Sequence, residues 1–158
     1  MQLSLEEIAV YLRCGGKISD ELKRRTLELA AAAPLEPRGI FLRDDDRFLL
    51  CGTIGGAFEH WHRRLSAVSA ADALIAQAIG TAAVEKTMDE LETQISSTLP
   101  PGETLCPRRS PGYGKMKLAM NREIIERLDA ARRIGVSFTD SMTLLPSKSV
   151  TAVCEVEK

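Results

Sequence analysis

The feature that most constrains this chain is a long apolar stripe at helical spacing in its middle. Leu74, Ile75, Ala78, Ile79, Ala82, Met88, Leu91 and Ile95 keep a 3.6-residue period. Ser69 with Asp72 opens the run as a capping-box candidate, and Pro100-Pro101 closes that half of the chain. The period predicts one long helix ending near Ser97. Gly80, Ala82 and Ala83 form a small-residue patch on it, where another part of the chain can come close.

Shorter elements surround this helix. Ser4 and Glu7 make a second capping-box candidate, followed by Leu5, Ile8 and Leu12 at helical spacing and a Gly15-Gly16 stop. A helix from about Ser19 or Asp20, with Leu22, Leu29 and Ala33 on one stripe, ends before Pro34. Ile40 to Arg43 and Phe48 to Cys51 read as a hairpin about the turn cluster Asp44-Asp45-Asp46, with Gly52 closing it. Thr53 to Ala67 reads as a helix carrying Phe58, Trp61 and Leu65. Beyond Pro101, Thr104 to Pro107 and Met142 to Leu145 are short strand candidates. Asn121 to Arg133 reads as one helix with Gly135 just past its end. Alternation from Ser149 to Val156 indicates a half-buried strand.

The expected class is α+β: a mostly antiparallel sheet packed with helices, including one long helix. At 158 residues the chain reads as a single domain, 1–158, with an N-terminal helical segment over 1–35 and a core over 36–158.

Several functions are excluded or disfavoured. A formal charge of -1 gives no pull toward nucleic acid or an anionic membrane, so neither is an expected partner. No apolar run approaches the roughly 18 residues that a membrane span needs, and the start is polar, so the expected location is cytoplasmic. Cys14, Cys51, Cys106 and Cys154 are far apart and read as small core hydrophobes rather than a zinc or redox site. His60 and His62 flank Trp61 and point to different sides of a helix, so they cannot share a metal. There is no G-x-S-x-G elbow, no G-x-G-x-x-G loop and no D-x-H-x-x-G cobalt-ligating motif. Lys115, Lys117, Arg122 and Arg127 make a basic stretch, read either as a solvated face or as a docking surface for an acidic partner.

The informative segment is Arg108-Arg109-Ser110-Pro111-Gly112-Tyr113-Gly114. Pro-Gly is a turn signal, glycine lets a ligand approach the backbone, and an arginine fork suits a carboxylate. Tyr113 adds a ring face and a hydroxyl. These residues suit a zwitterionic ligand bearing a flat base; they also suit an ordinary Pro-Gly turn with solvated arginines. Both readings stand on the residues alone.

Arg108-Arg109-Ser110-Pro111-Gly112-Tyr113 resembles the R-x-x-x-G-Y signature of the S-adenosylmethionine-binding activation (reactivation) domain of vitamin B12-dependent methionine synthase. Arg132 to Val136, Ser141, and Leu144-Leu145-Pro146-Ser147-Lys148-Ser149-Val150 are similar to the stretch that follows it. Ala78 to Glu85 and Thr53-Ile54-Gly55 resemble helices of free-standing homologues. The resemblance implies that the chain binds S-adenosylmethionine in a shallow groove. Arg108 would meet the methionyl carboxylate, with Ser110, Pro111, Gly112 and Tyr113 forming the loop and Glu85 near the amino group or sulfonium. Glu85 read alone is equally a solvated helix glutamate. Glu103 lies one residue off another acidic family position.

By the same resemblance the domain serves as an accessory to a B12-dependent methyltransferase and is not an independent catalyst. It would support reductive methylation of a corrinoid-binding protein or of methionine synthase modules, with a flavodoxin- or ferredoxin-like electron donor. Cobalamin would be reached only through the partner. Two departures keep a second expectation open. No acidic residue near the N-terminus matches the one that holds the adenosine side. The chain also stops at Lys158, before a family extension that brings a tyrosine. A scaffold that kept the fold and lost the ligand is therefore the alternative. An independent S-adenosylmethionine-dependent enzyme is disfavoured, because no acid, base or nucleophile constellation is marked.

Overall fold

The computed structural model describes residues 1–12 and 18–158. Cys14 and the Gly15-Gly16 stop lie outside the described residues.

Helix α1 (Leu5–Ala9) opens on the capping box: Ser4 Oγ accepts from the Glu7 amide, and the Glu7 carboxylate accepts from the Ser4 amide. Helix α2 (Asp20–Ala32) is capped by Ser19. Strands β1 (Arg38–Asp44) and β2 (Arg47–Thr53) form the hairpin, turning at Asp45 in the left-handed region. Helices α3 (Gly56–Val68) and α4 (Ala70–Thr98) follow, the latter capped by Ser69. Strand β3 is Thr104–Leu105. Then come α5 (Met120–Leu128), α6 (Ala130–Ile134), β4 (Ser137–Phe138), β5 (Leu144–Leu145) and β6 (Ser149–Glu157).

The main sheet is antiparallel in the order β1-β2-β6-β3, and β4 pairs with β5 in a separate ribbon. This is the α+β arrangement with one long helix. Helix α4 has 29 residues and so runs about 43 Å at 1.5 Å per residue. Its first half buries Ile75, Ala78, Ile79 and Ala82 against Ile8 of α1, Leu29 of α2 and Phe58 of α3. Its second half lays Met88, Leu91 and Ile95 on Leu50, Ala152 and Cys154 of the sheet. Leu74 is not on the buried stripe and is 72% exposed, because a stripe centred on Ile75 and Ala82 leaves it on the flank. Among the described residues no helix is long and apolar enough to cross a membrane.

Four further sequence expectations need correction. Gly52 does not close its strand; β2 runs on through Thr53. The glycine serves close packing instead, since a Cβ there would meet Met88 Sδ at 2.7 Å. Helix α3 consequently starts at Gly56, not Thr53, whose hydroxyl accepts from the Gly55 amide. The helix expected over Asn121–Arg133 is two helices, broken at Asp129 in the left-handed region (φ 51°), a conformation aspartate tolerates. The break turns Ala130, Ile134 and Val136 onto Ile40, Leu49 and Cys51. Finally, β6 is not half-buried. Thr151 to Cys154 are all buried, because α4 covers Ala152 and Cys154 while α5 covers Val153 from the other face.

Cys51 and Cys154 are buried free thiols, each pushed up to about 12 by burial, as the small-hydrophobe reading expects. Cys106 is free and partly buried.

Candidate functional site

The groove is formed where the chain leaves the edge of β6. After β3 the backbone stays on that edge as far as Arg109, which exchanges both backbone hydrogen bonds with Val153, at 2.9 and 2.8 Å. The ladder stops there because Pro111 has no N–H to donate. Ser110-Pro111-Gly112-Tyr113 turns away instead. The Tyr113 amide donates to Ser110 O at 3.2 Å and Gly112 has φ +91°, which is the type II pattern with Pro and Gly at its centre.

The space left beside β6 is an open groove of about 890 Å³. Its floor is Ser149 to Thr151. Its walls are the Ser110–Tyr113 turn, Glu85 of α4, Asn121 of α5 and the segment Met142–Leu144. Arg108, Ser110, Pro111, Tyr113 and Glu85 line the groove. Gly112 shapes the turn without lining it. Tyr113 is 78% exposed at the rim.

Arg108 reaches across to α4. Its Nη1 donates to Asp89 Oδ1 at 2.6 Å and to Glu92 Oε1 at 2.9 Å, and its Nη2 to Glu85 Oε2 at 2.6 Å. Glu85, Asp89 and Glu92 stand at successive turns of one helix face, which brings all three to one guanidinium. Burial pulls the Arg108 guanidinium down, but the hydrogen bonds it donates to Glu92, Asp89 and Glu85 outweigh it and hold it above its ordinary value. Three of its five N–H donors are engaged, leaving two. Three carboxylates against one guanidinium also leave this corner net negative, and of the three it is Glu85 that lines the groove. Tyr11, just past α1, is raised by burial and by the charges of Glu85 and Asp89. Arg109 turns outward and pairs with Glu155.

Below the groove lies a buried polar network. Asn121 is 4% exposed; its Nδ2 donates to Met142 O at 2.9 Å, and its Oδ1 accepts from Thr151 Oγ1 at 2.6 Å. Met142 is held at φ +63°, a strained setting for an unbranched side chain, and strained backbone of this kind clusters at ligand clamps. Lys148 extends along α4 to Thr81 Oγ1 at 2.8 Å. Burial pulls its ammonium down, partly offset by Glu85.

Glu103 is not brought to the groove; it pairs with Arg43. Arg127 is drawn to Asp44, and Arg122 lies over the Phe138 ring, so only Lys115 of the basic stretch lines the groove. His60 is exposed, while His62 Nε2 lies 3.1 Å from Ala73 O. Asn121, Met142 and Lys148 were missed from sequence. A signal for Asn121 existed: it shares the stripe of Ile124, Ile125 and Leu128, where a polar residue needs a buried partner.

No protein-family model and no curated protein sequence matches the chain. Its architecture is α+β, a curled antiparallel sheet packed with helices. A solved structure it is similar to is the MetH reactivation domain bound to AdoHcy, at a TM-score of 0.61 and 18% identity. The likeness covers 69% of this chain and 38% of that chain, so this chain spans well under half of that chain's length. At that identity the likeness shows the fold.

Proposed function

We propose that the chain is an S-adenosylmethionine-binding module that supports reductive methylation of a corrinoid protein or of a B12-dependent methionine synthase. The carrying observation is the groove beside the Arg108–Tyr113 loop, on a fold similar to a reactivation domain that was solved with AdoHcy. The residues present fit such a ligand. The two N–H donors left on Arg108 suit the methionyl carboxylate, and the Glu85 carboxylate, which lines the groove, suits the ammonium or sulfonium. Pro111, Tyr113 and Leu144 supply apolar wall for the base. Bound there, S-adenosylmethionine would supply a methyl group to the cobalt of a partner's corrinoid. The chain's own contribution is position, with cobalamin and a flavodoxin- or ferredoxin-like donor brought by partners.

A second reading has its own support. Arg108 is already held by three carboxylates, as expected of a residue retained to tie a loop to α4 in a scaffold that has lost its ligand. Calorimetric titration with S-adenosylmethionine decides between them. Saturable binding, lost in Arg108→Ala with the fold retained, supports the module. Heat that never rises above dilution up to millimolar ligand turns the assignment to the scaffold.

A further inference from the structure

The groove's floor is a sheet edge with no strand paired to it among the described residues. Along β6 the backbone groups alternate. Lys148, at the start, accepts from the Ile54 amide, and Val156, near the end, donates to Asp46 O; the even-numbered residues between them face β2 in the same way. The odd-numbered residues face the opposite edge. Val153 is met there by Arg109, and Glu155 O accepts from the Cys106 amide. Ser149 and Thr151 follow the same alternation, but the chain has turned away at Pro111. Their N–H and C=O groups therefore open into the groove. Their side chains do not compete for this space: Thr151 Oγ1 donates to Asn121, and Ser149 Oγ donates to Thr53 Oγ1.

Such an edge presents donors and acceptors side by side in the plane of the sheet. That pattern matches the amino-and-ring-nitrogen edge of adenine, which donates from its exocyclic amine and accepts at the adjacent ring nitrogen. The open strip offers two outward-facing residues, the low end of the two or three that a strand of about five or six residues presents on one edge, and that suits one flat ring better than a long extended peptide. The apolar walls beside it, Pro111, Met142 and Leu144, suit the faces of a flat ring. We infer that the main-chain edge of β6 at Ser149 and Thr151 is the base-reading element of the groove and selects an adenine nucleoside by hydrogen bonds to its amino edge. This rests on the reading of the groove as a nucleoside-sulfonium site and deepens it.

The test is a titration of the full ¹⁵N-labelled chain with S-adenosylmethionine, adenosine and inosine, following backbone amides. Inosine replaces the amine by a carbonyl and the ring acceptor by a donor, so it would oppose like to like along the edge. The expected result is downfield movement of the Ser149 and Thr151 amides with the first two ligands, and inosine bound at least about tenfold more weakly, about 1.4 kcal/mol. S-adenosylmethionine bound without movement at these amides, or inosine bound as tightly as adenosine, overturns the inference and leaves the S-adenosylmethionine module standing. Adenosine bound at these amides with no binding of S-adenosylmethionine does the reverse. Absence of binding by all three overturns both.

Discussion

Arg108 Nη2 lies 2.6 Å from Glu85 Oε2, so one ion pair ties the groove-forming loop to the long helix. The sequence resemblance gives both residues to the same ligand, and the structure gives them to each other. A ligand carboxylate must then approach an arginine already crowded by negative charge.

Relieving that crowding should help binding. In an Asp89→Asn/Glu92→Gln double variant, Arg108 keeps Glu85 and loses two competing carboxylates. Affinity for S-adenosylmethionine should rise about fivefold, on the order of 1 kcal/mol for partly exposed charges. Calorimetry at low salt measures it, and an affinity that falls would show that the three carboxylates hold the cationic end of the ligand more than they hinder the anionic end.

Asn121→Ala should destabilise the fold by about 1–3 kcal/mol, since it takes the partner from the buried Thr151 hydroxyl and from the part-buried Met142 carbonyl. Urea unfolding gives the number. A loss below about 0.5 kcal/mol would mean that water replaces the asparagine.

Gly80→Ala places a Cβ 2.6 Å from Cε1 and Cζ of Phe58, a ring that is 1% exposed. The ring must shift within a packed core, at about 1–3 kcal/mol. Thermal melting should show the drop, with ligand affinity unaltered; an unchanged melting temperature would show the α3–α4 contact to be loose.

Stability should fall at acid pH partly through Asp44. Hydrogen bonds from Arg127 and then Arg47 hold its carboxyl down to about 2, from an ordinary 3.8. The carboxylate form is favoured by the fold, so this contribution is complete above pH 3.8 and is lost as pH falls from there through about 2. Denaturation midpoints measured across that window should decline less steeply in Asp44→Asn. Parallel profiles would show that the pairing to α5 contributes nothing.

Much of the fold was legible because its signals are local. The Ser4, Ser19 and Ser69 caps, the hairpin about Asp45 and the long stripe of α4 are each written within a few residues. What misled was tertiary. Gly52 looks like a breaker until Met88 is seen to lie over it, and nothing near Asp129 says that the chain must bend back under β1. Alternation along β6 records one covered face, whereas two helices cover both. The loop of the site was readable as a Pro-Gly turn. Of its three carboxylate partners Glu85 came with the resemblance, while Asp89 and Glu92 were not legible, because they lie 19 and 16 residues away on a helix whose polar face looks merely solvated.

The open stretch of β6 bears on how such a site persists. Peptide groups are the same whatever residues carry them, so a floor made of backbone does not change when its side chains do. A chain built this way can drift far in sequence while the surface it offers to a small molecule keeps its chemistry, and what selection must preserve is only the proline that ends the ladder and the turn that leaves the strand bare.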